Sequence, residues 1–401
     1  MSHVWGKAAR RNLTVVSVLF LVFGVLVTLI GAALLVKEVT TDTDDPPVYV
    51  GIDVAYDDEE NVYKVADAVK GYVNLIVLGS LSVTTDTAKL TRVCDYLYNN
   101  GFSFIIYIGF NATSTQLPYL PPRGPDAQFF TDGMRRWGDK LLGAYVFDEA
   151  GGKTIDSPHE TQYPENFTDA AQQFVAHTNY FLANYSAYYR SPNLELFTSD
   201  YALYWYDYLL GYDVVFGEFV GNQSRQLTVA LTRGAAKAMG KHWGTMITWK
   251  YSEAPFVEEP LQLFQDMVLA YQNGAKYIIV FNGPANNTAT TPYGILNQWH
   301  FLAMRLFWAY TKLSPTPKEY PADNAYVLPK DYGFGFRGPN DKIWGVFPAD
   351  ALSPVIWNAS NSLIKNYGIK IDIVYETKID HTPINLPYEK LIYWNGTVTE
   401  K

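Results

Sequence analysis

The chain is nearly free of cysteine: Cys94 stands alone among 401 residues. A single thiol forms no intrachain disulfide and no cysteine-based zinc site, each of which needs several. Cys94 falls in the apolar-periodic stretch TDTAKLTRVCDYLYNN and reads as a small buried hydrophobe. Histidine is also scarce. His3, His159, His177, His242, His300 and His381 are scattered with no H-x-H or H-E-x-x-H spacing, so no metal site is expected. His300 lies in an aromatic helix and is expected to be a core or capping residue. No G-x-S-x-G elbow occurs, which disfavours a serine hydrolase. The Gly-rich run DYGFGFRGPNDKIWG lacks both the P-loop Lys-Ser/Thr and dinucleotide spacing, and no cofactor is expected. Positive charge is in deficit: the net charge is −9, and no basic stripe exists to engage phosphates, so nucleic acid is excluded as a partner.

Hydrophobic residues are plentiful at 48%, and aromatics reach 16%, with 31 Tyr and 10 Trp. Flat amphipathic rings suit sugar faces, and they suit cores and interfaces equally. From residue 47 to residue 283 one phrase recurs: a short apolar run, an acidic or aromatic residue, then a helical stretch. The runs are VYVGIDV, NLIVLG, FSFIIYIGF, GAYVFDE, LELFTSD, DVVFGEF, WGTMITW and YIIVFN. Strand–helix units in this number predict a (β/α)8 TIM barrel of the α/β class over residues 48–313, with its chemistry where the strands end. The longer connections, 111–125, 150–164, 252–260 and 283–292, all follow strands and would sit on that one face. After a Pro-rich linker the rhythm changes. Residues 322–397 read as a small α/β appendage, with strands NAYVLP, KIDIVYE and KLIYWNG and a helix around PADALSPVIWNASNSLIKNYG. It is too small for independent folding to be assumed and is expected to pack on the barrel. Arg337 is placed to reach over the mouth, with a structural salt bridge as its expected role.

Residues 13–36 are almost uninterruptedly apolar and as a helix would span roughly 36 Å, enough for a bilayer. Lys7, Arg10 and Arg11 precede the run, and three acids follow within 41–45. The positive-inside rule then places residues 1–12 in the cytoplasm and the remainder outside, after a short linker at 37–47. A cleaved signal peptide is the alternative; the run is too long for a usual h-region, and no clear cleavage site follows. A single-pass signal anchor and a membrane partner are therefore expected. Sequons at Asn111, Asn166, Asn184, Asn222, Asn286, Asn358 and Asn395 agree with a glycosylated exterior.

Several strands close on carboxylates. Asp148 and Glu149 end strand four, and strand alternation lets only one of them face the barrel axis. Glu218 ends strand six. Strands four and six are separated by one strand, so Glu149 and Glu218 are expected as the catalytic pair, with Asp148 supporting. One acid would protonate a leaving oxygen while the other attacks the anomeric carbon or activates water. Capping a helix or binding loop amides is the competing role for such acids. Asp53, Tyr107, Asp200, Tyr201, Trp249, Lys250 and Asn282 are the candidate substrate-binding residues. Trp249 and the tyrosines would stack on sugar rings or simply pack the rim. Lys250 admits a Schiff base if desolvated, although pairing with a carboxylate or substrate fits better.

The GAYVFDEAGG and GEF runs make residues 48–310 resemble TIM-barrel glycoside hydrolases. Strand seven ends in Trp249-Lys250 without a Glu, a departure from the large clan whose nucleophile lies there. The chain is more similar to barrels pairing strands four and six, in some of which the strand-four acid is the nucleophile. The resemblance implies a carbohydrate substrate. The anchor and sequons resemble archaeal cell-surface proteins, which implies an envelope setting and admits an envelope partner. A non-catalytic surface protein binding glycans or an envelope partner is the second reading.

Overall fold

The eight runs are rich in apolar residues and buried at nearly every strand position, as expected of strands covered on both faces in a parallel sheet. In the computed structural model they form β1 (Tyr49–Val54), β2 (Leu75–Leu78), β3 (Ser103–Ile108), β4 (Leu141–Val146), β5 (Glu195–Asp200), β6 (Val214–Phe219), β7 (His242–Ile247) and β8 (Tyr277–Asn282). Neighbours pair in parallel in sequence order, and β8 returns to pair with β1, closing the barrel. The structure describes residues 48–56, 58–109, 123–157, 161, 163–189, 194–283, 291–314, 322–376, 378–379, 382–383 and 386–400. The apolar run 13–36 lies outside these. Among the described residues no helix is long and apolar enough to cross a membrane.

Helices return the chain to the start of each strand, and short polar side chains fix where several of them begin. Asp86 accepts from the Lys89 amide, Asp126 from Phe129 and Ser224 from Leu227. Each satisfies an amide that has no partner inside its helix. His300 closes a reciprocal cap with Asn297, and its Nε2 lies 3.0 Å from the Glu258 carbonyl. Cys94 is buried in its helix. One helix, Ala150–Asp156, lies where the sequence predicts a loop. Its Gly-Gly start disguises it, because glycine is a poor helix former.

The barrel interior is aromatic. Tyr49 stacks on Tyr277 at 5.0 Å between centroids and Phe197 on Phe216 at 5.6 Å, while Tyr145 meets Phe216 edge-on at 6.2 Å. A good part of the aromatic excess thus fills the core. Glycine permits one tight point in the wall: at Gly143, φ +154°, a Cβ would fall 1.9 Å from the Glu195 carbonyl oxygen.

The appendage forms a four-stranded sheet in which β9 (Asn324–Leu328) lies between β10 (Ile371–Tyr375) and the strand Lys390–Tyr393. A strand the sequence does not mark, Val398–Glu400, extends it beyond residue 397. An aromatic seam joins it to the barrel: Tyr206 lies 4.5 Å from Trp344 and Trp205 5.7 Å from Tyr375. Buried Arg233 donates to Asp372 at 2.7 Å and to the Ile369 and Ile371 carbonyls at 2.8 and 3.1 Å. A guanidinium buried this far is tolerated only when its donors are matched, as they are here. Arg337 pairs with Asp341 at 2.9 Å and with Asp156, fastening the Gly-rich loop to the helix beside the mouth.

Candidate active site at the barrel mouth

Strand alternation decides which groups reach the axis. On β5, Phe197 faces the interior rings, so Ser199 faces inward and Asp200 outward. On β6, Phe216 and Glu218 share the inward face. At the end of β4, Asp148 turns back toward Tyr145, whose ring lies against Phe216. These choices bring four oxygens together. Ser199 Oγ lies 3.1 Å from Asp148 Oδ1, 2.7 Å from Glu218 Oε1 and 2.7 Å from Tyr145 Oη. Tyr145 also donates to Asp148. The two carboxylates are therefore less than two hydrogen-bond lengths apart at their nearest oxygens.

The sequence favours Glu149 as the partner of Glu218. The structure instead links Glu218 to Asp148 through Ser199. Glu149 stands at the rim in an ion pair with Lys153 at 3.1 Å, and Lys153 also donates to the Asp148 carbonyl at 2.9 Å. The field of Glu149 still reaches Glu218. Burial, followed by the charges of Glu149 and Asp148, pushes the Glu218 carboxyl well above the usual range. Burial and then Asp148 do the same for Glu149, with Lys153 opposing. Asp53 is buried and raised for the same reasons, and one of its oxygens has no hydrogen-bond partner. Burial works against the charge on Lys153, yet Asp148 and Glu149 hold its pKa above the ordinary value. Tyr107 packs edge-on against Tyr145 at 5.3 Å, and burial with the nearby Asp148 pushes its hydroxyl up.

Three expected binding residues make structural hydrogen bonds. Asp200 is fully buried, and its oxygens accept from the amides of Gly151 (2.6 Å), Gly152 (2.7 Å), Tyr201 (2.7 Å) and Ala202 (3.0 Å). It anchors the start of the helix Ala150–Asp156. The Gly-Gly pair is explained by that approach, since a Cβ on Gly152 would fall 2.2 Å from the Tyr201 ring. Asn282 points outward and braces a loop, donating to the Tyr293 carbonyl at 2.6 Å and accepting from the Leu296 amide at 3.3 Å. Tyr201 donates to Asp156 at 2.7 Å. Lys250, half-buried, lines an open groove with Tyr251, Glu253, Pro255 and Glu259.

Trp249 remains at the mouth, 36% exposed, against Phe281 at 5.0 Å and edge-on to Phe256 at 5.6 Å. Tyr56, which the sequence reading missed, is 69% exposed and meets Phe281 at 6.4 Å. Burial of part of the ring, and then the charge of Asp148, raises its hydroxyl pKa. Tyr145, Ser199 and Lys153 were missed as well. Counting alternation from Phe197 finds Ser199, and i,i+4 spacing from Glu149 finds Lys153.

Strain gathers around this mouth. Tyr56, Phe147, Glu149, Leu203 and Phe256 follow strands one, four, four, five and seven, with φ of +65°, +54°, +59°, +53° and +63°. Non-glycine residues held there cost about 1–3 kcal/mol each and cluster at functional sites. Among the described residues no group of His, Cys, Asp or Glu is arranged to hold a metal.

No protein-family model matches the chain, and no curated protein matches it in sequence. Solved structures do match in fold. A beta-galactosidase from Rahnella sp. R3 aligns with a TM-score of 0.56 at 11% identity, over 88% of this chain and 68% of its own. A GH5_18 protein from Streptomyces cattleya, in complex with GlcNAc, aligns at 0.54 and 12% identity, over 87% and 99%. A beta-galactosidase from the haloarchaeon Halorubrum lacusprofundi aligns at 0.54 and 11%, over 86% and 69%. By fold, the chain is similar to glycoside hydrolases built on the closed eight-stranded parallel barrel.

Proposed function

We propose that the protein is a glycoside hydrolase whose reacting groups are Glu218 and Asp148, with Glu149 and Lys153 setting their charge. One observation carries the reading: a single hydroxyl, Ser199 Oγ, lies 3.1 Å from Asp148 and 2.7 Å from Glu218 at the mouth of the barrel. Glu218 keeps its proton because burial and neighbouring acids disfavour its charge. It is the general acid for the leaving oxygen. Asp148, held by Tyr145 and Ser199, attacks the anomeric carbon. Carboxyl separations of about 5–5.5 Å go with retention of configuration and about 6.5–9.5 Å with inversion. The shared hydroxyl supports the shorter class. Trp249 and Tyr56 offer ring faces to the sugar.

A second reading has one observation in its favour: Glu218 is only 3% exposed. A barrel that binds a glycan or an envelope partner without cleaving it needs no accessible acid. Hydrolysis of a panel of aryl glycosides separates the readings. Turnover by the wild type that Glu218→Gln and Asp148→Asn both abolish supports the hydrolase; turnover unchanged in both variants removes these residues from catalysis.

The outward-facing, membrane-anchored location belongs to the same proposal. The chain enters β1 at Tyr49, on the barrel face opposite the acids. An anchor there would point the mouth away from the bilayer toward surface or environmental glycans. Protease protection in intact cells tests this: residues after 37 should be cleaved from outside, and full protection would reject it.

A further inference from the structure

We propose that Ser199 is a positioning residue that reverses its hydroxyl as Glu218 loses and regains its proton, keeping both carboxylates hydrogen-bonded in either state. This rests on the hydrolase reading for its purpose, but not for its physics. Ser199 Oγ has three oxygen neighbours: Asp148 Oδ1 at 3.1 Å, Glu218 Oε1 at 2.7 Å and Tyr145 Oη at 2.7 Å. It has one proton to donate and two lone pairs to accept with.

Each carboxylate keeps a donor in both states, while the 2.7 Å Tyr145–Ser199 contact carries no proton in either, because both hydroxyl protons point to carboxylates. With Glu218 protonated, its O–H donates to Ser199 Oγ, and Ser199 and Tyr145 both donate to Asp148. Once Glu218 has passed its proton to a leaving oxygen, Ser199 turns and donates to the new Glu218 carboxylate. Asp148 keeps the bond from Tyr145. No heavy atom needs to move, and neither carboxylate is left without a donor. An inward-facing alanine would leave Glu218 Oε1 without this partner in either state.

The charged and titratable groups around Glu218 are few. Tyr145 and Asp148 adjoin it from the end of β4, the charges of Glu149 at the rim and of outward-facing Asp200 on β5 reach it, and Tyr204 lies near it on the helix Tyr204–Leu209. Lys153 offsets Asp148 and Glu149 at the rim. Arg225 lies over the ring of Phe219, the next residue along the strand, at 5.5 Å. Every acid in that set disfavours ionisation of Glu218, and the Ser199 hydrogen bond favours it.

The direct test is carbon-13 NMR titration of the Glu218 and Asp148 carboxyls in wild type, Ser199→Ala and Ser199→Thr. Ser199→Ala should move the Glu218 midpoint to higher pH. It should also shrink the inflection that Glu218 ionisation imposes on the Asp148 signal to what direct charge coupling leaves, and Ser199→Thr should restore both. Ser199→Cys keeps the volume with a weak donor and should fall between; it serves if the alanine variant does not fold. An unchanged Glu218 midpoint in Ser199→Ala, or in Ser199→Cys where alanine fails to fold, would overturn the proposal. In turnover, Ser199→Ala should lower kcat about 10–100-fold with KM within twofold, below the 10²–10⁴-fold typical of removing a general acid itself. A protein that hydrolyses nothing would sink the hydrolase reading while leaving the titration result intact.

Discussion

The two halves of the barrel mouth are built on opposite principles. On the side of β4, β5 and β6, polar atoms saturate one another: Asp148, Tyr145, Ser199 and Glu218 form a continuous hydrogen-bonded chain, and Glu218 is 3% exposed. On the side of β7, β8 and β1, rings face outward: Trp249 is 36% and Tyr56 69% exposed. The first half holds acidic groups at close, fixed separations, where their charges act strongly on each other. The second half offers surface that contributes only when a partner covers it. A hydrolase needs both, a fixed pair of acids and a surface that holds a sugar against it.

Substitutions on the two sides should therefore fail differently. The largest effect is expected at the acids. Glu218→Gln or Asp148→Asn should lower kcat by at least about 10³-fold, near the upper range for removing acid–base or nucleophilic groups, while Glu149→Gln should cost far less. A larger loss at Glu149 than at Asp148 would restore the pairing the sequence favours. Next comes Asp200→Ala, which strands four amides, three of them buried. It should destabilise the fold by about 3 kcal/mol, seen as a Tm drop of about 5 °C or more, with KM of the folded fraction unchanged. On the aromatic side, Trp249→Ala should raise KM about tenfold, the worth of one ring contact near 1.4 kcal/mol, with Tm nearly unaffected. A Trp249→Ala variant that unfolds would mean the ring is core, and the contrast between the halves would fail.

The smallest expected effect is the pH dependence of stability. Burial pushes Asp200 up to about 7. Glu258, which pairs with Arg225 at 3.2 Å, is pushed up to about 8 by burial and then by Asp266. A raised carboxyl pKa means that the folded protein keeps a proton the unfolded chain has released. That stability is full below the ordinary carboxyl range of about 4 and declines as pH rises through 7 and 8. Tm should thus fall by several degrees between pH 5 and pH 9, and Glu258→Gln should flatten the upper part of the fall. A Tm that rises across this window would contradict the raised values.

The barrel was legible because its signal is repeated: eight apolar runs covered on both faces admit few other arrangements, and each run appears in the structure as a strand. The site was legible only in part. Carboxylates at strand ends draw the eye, yet Asp200 and Asn282 lie one residue out of phase with Phe197 and Phe281, so they face the helices. Ser199, an unremarkable residue beside an acid, takes the axial position. That Asp148 rather than Glu149 is linked to Glu218 through Ser199 was hidden for a different reason. Phe147 and Glu149 adopt positive φ, so alternation does not carry past Val146. The role of the aromatics was not separable in sequence either, because the rings filling the core and those on the rim share one composition. Tertiary position, not residue type, divides Tyr277 from Tyr56.

The most direct measurement of the central claim is trapping with a panel of activated 2-fluoro glycosides, followed by peptide mass mapping. A pairing of Asp148 with Glu218 at retaining distance predicts a covalent glycosyl ester on Asp148, lost in Asp148→Asn. Glu218→Gln should retain it with reagents that need no protonation. An ester on Glu149 or Glu218, or hydrolysis with inversion and no ester at all, would contradict it.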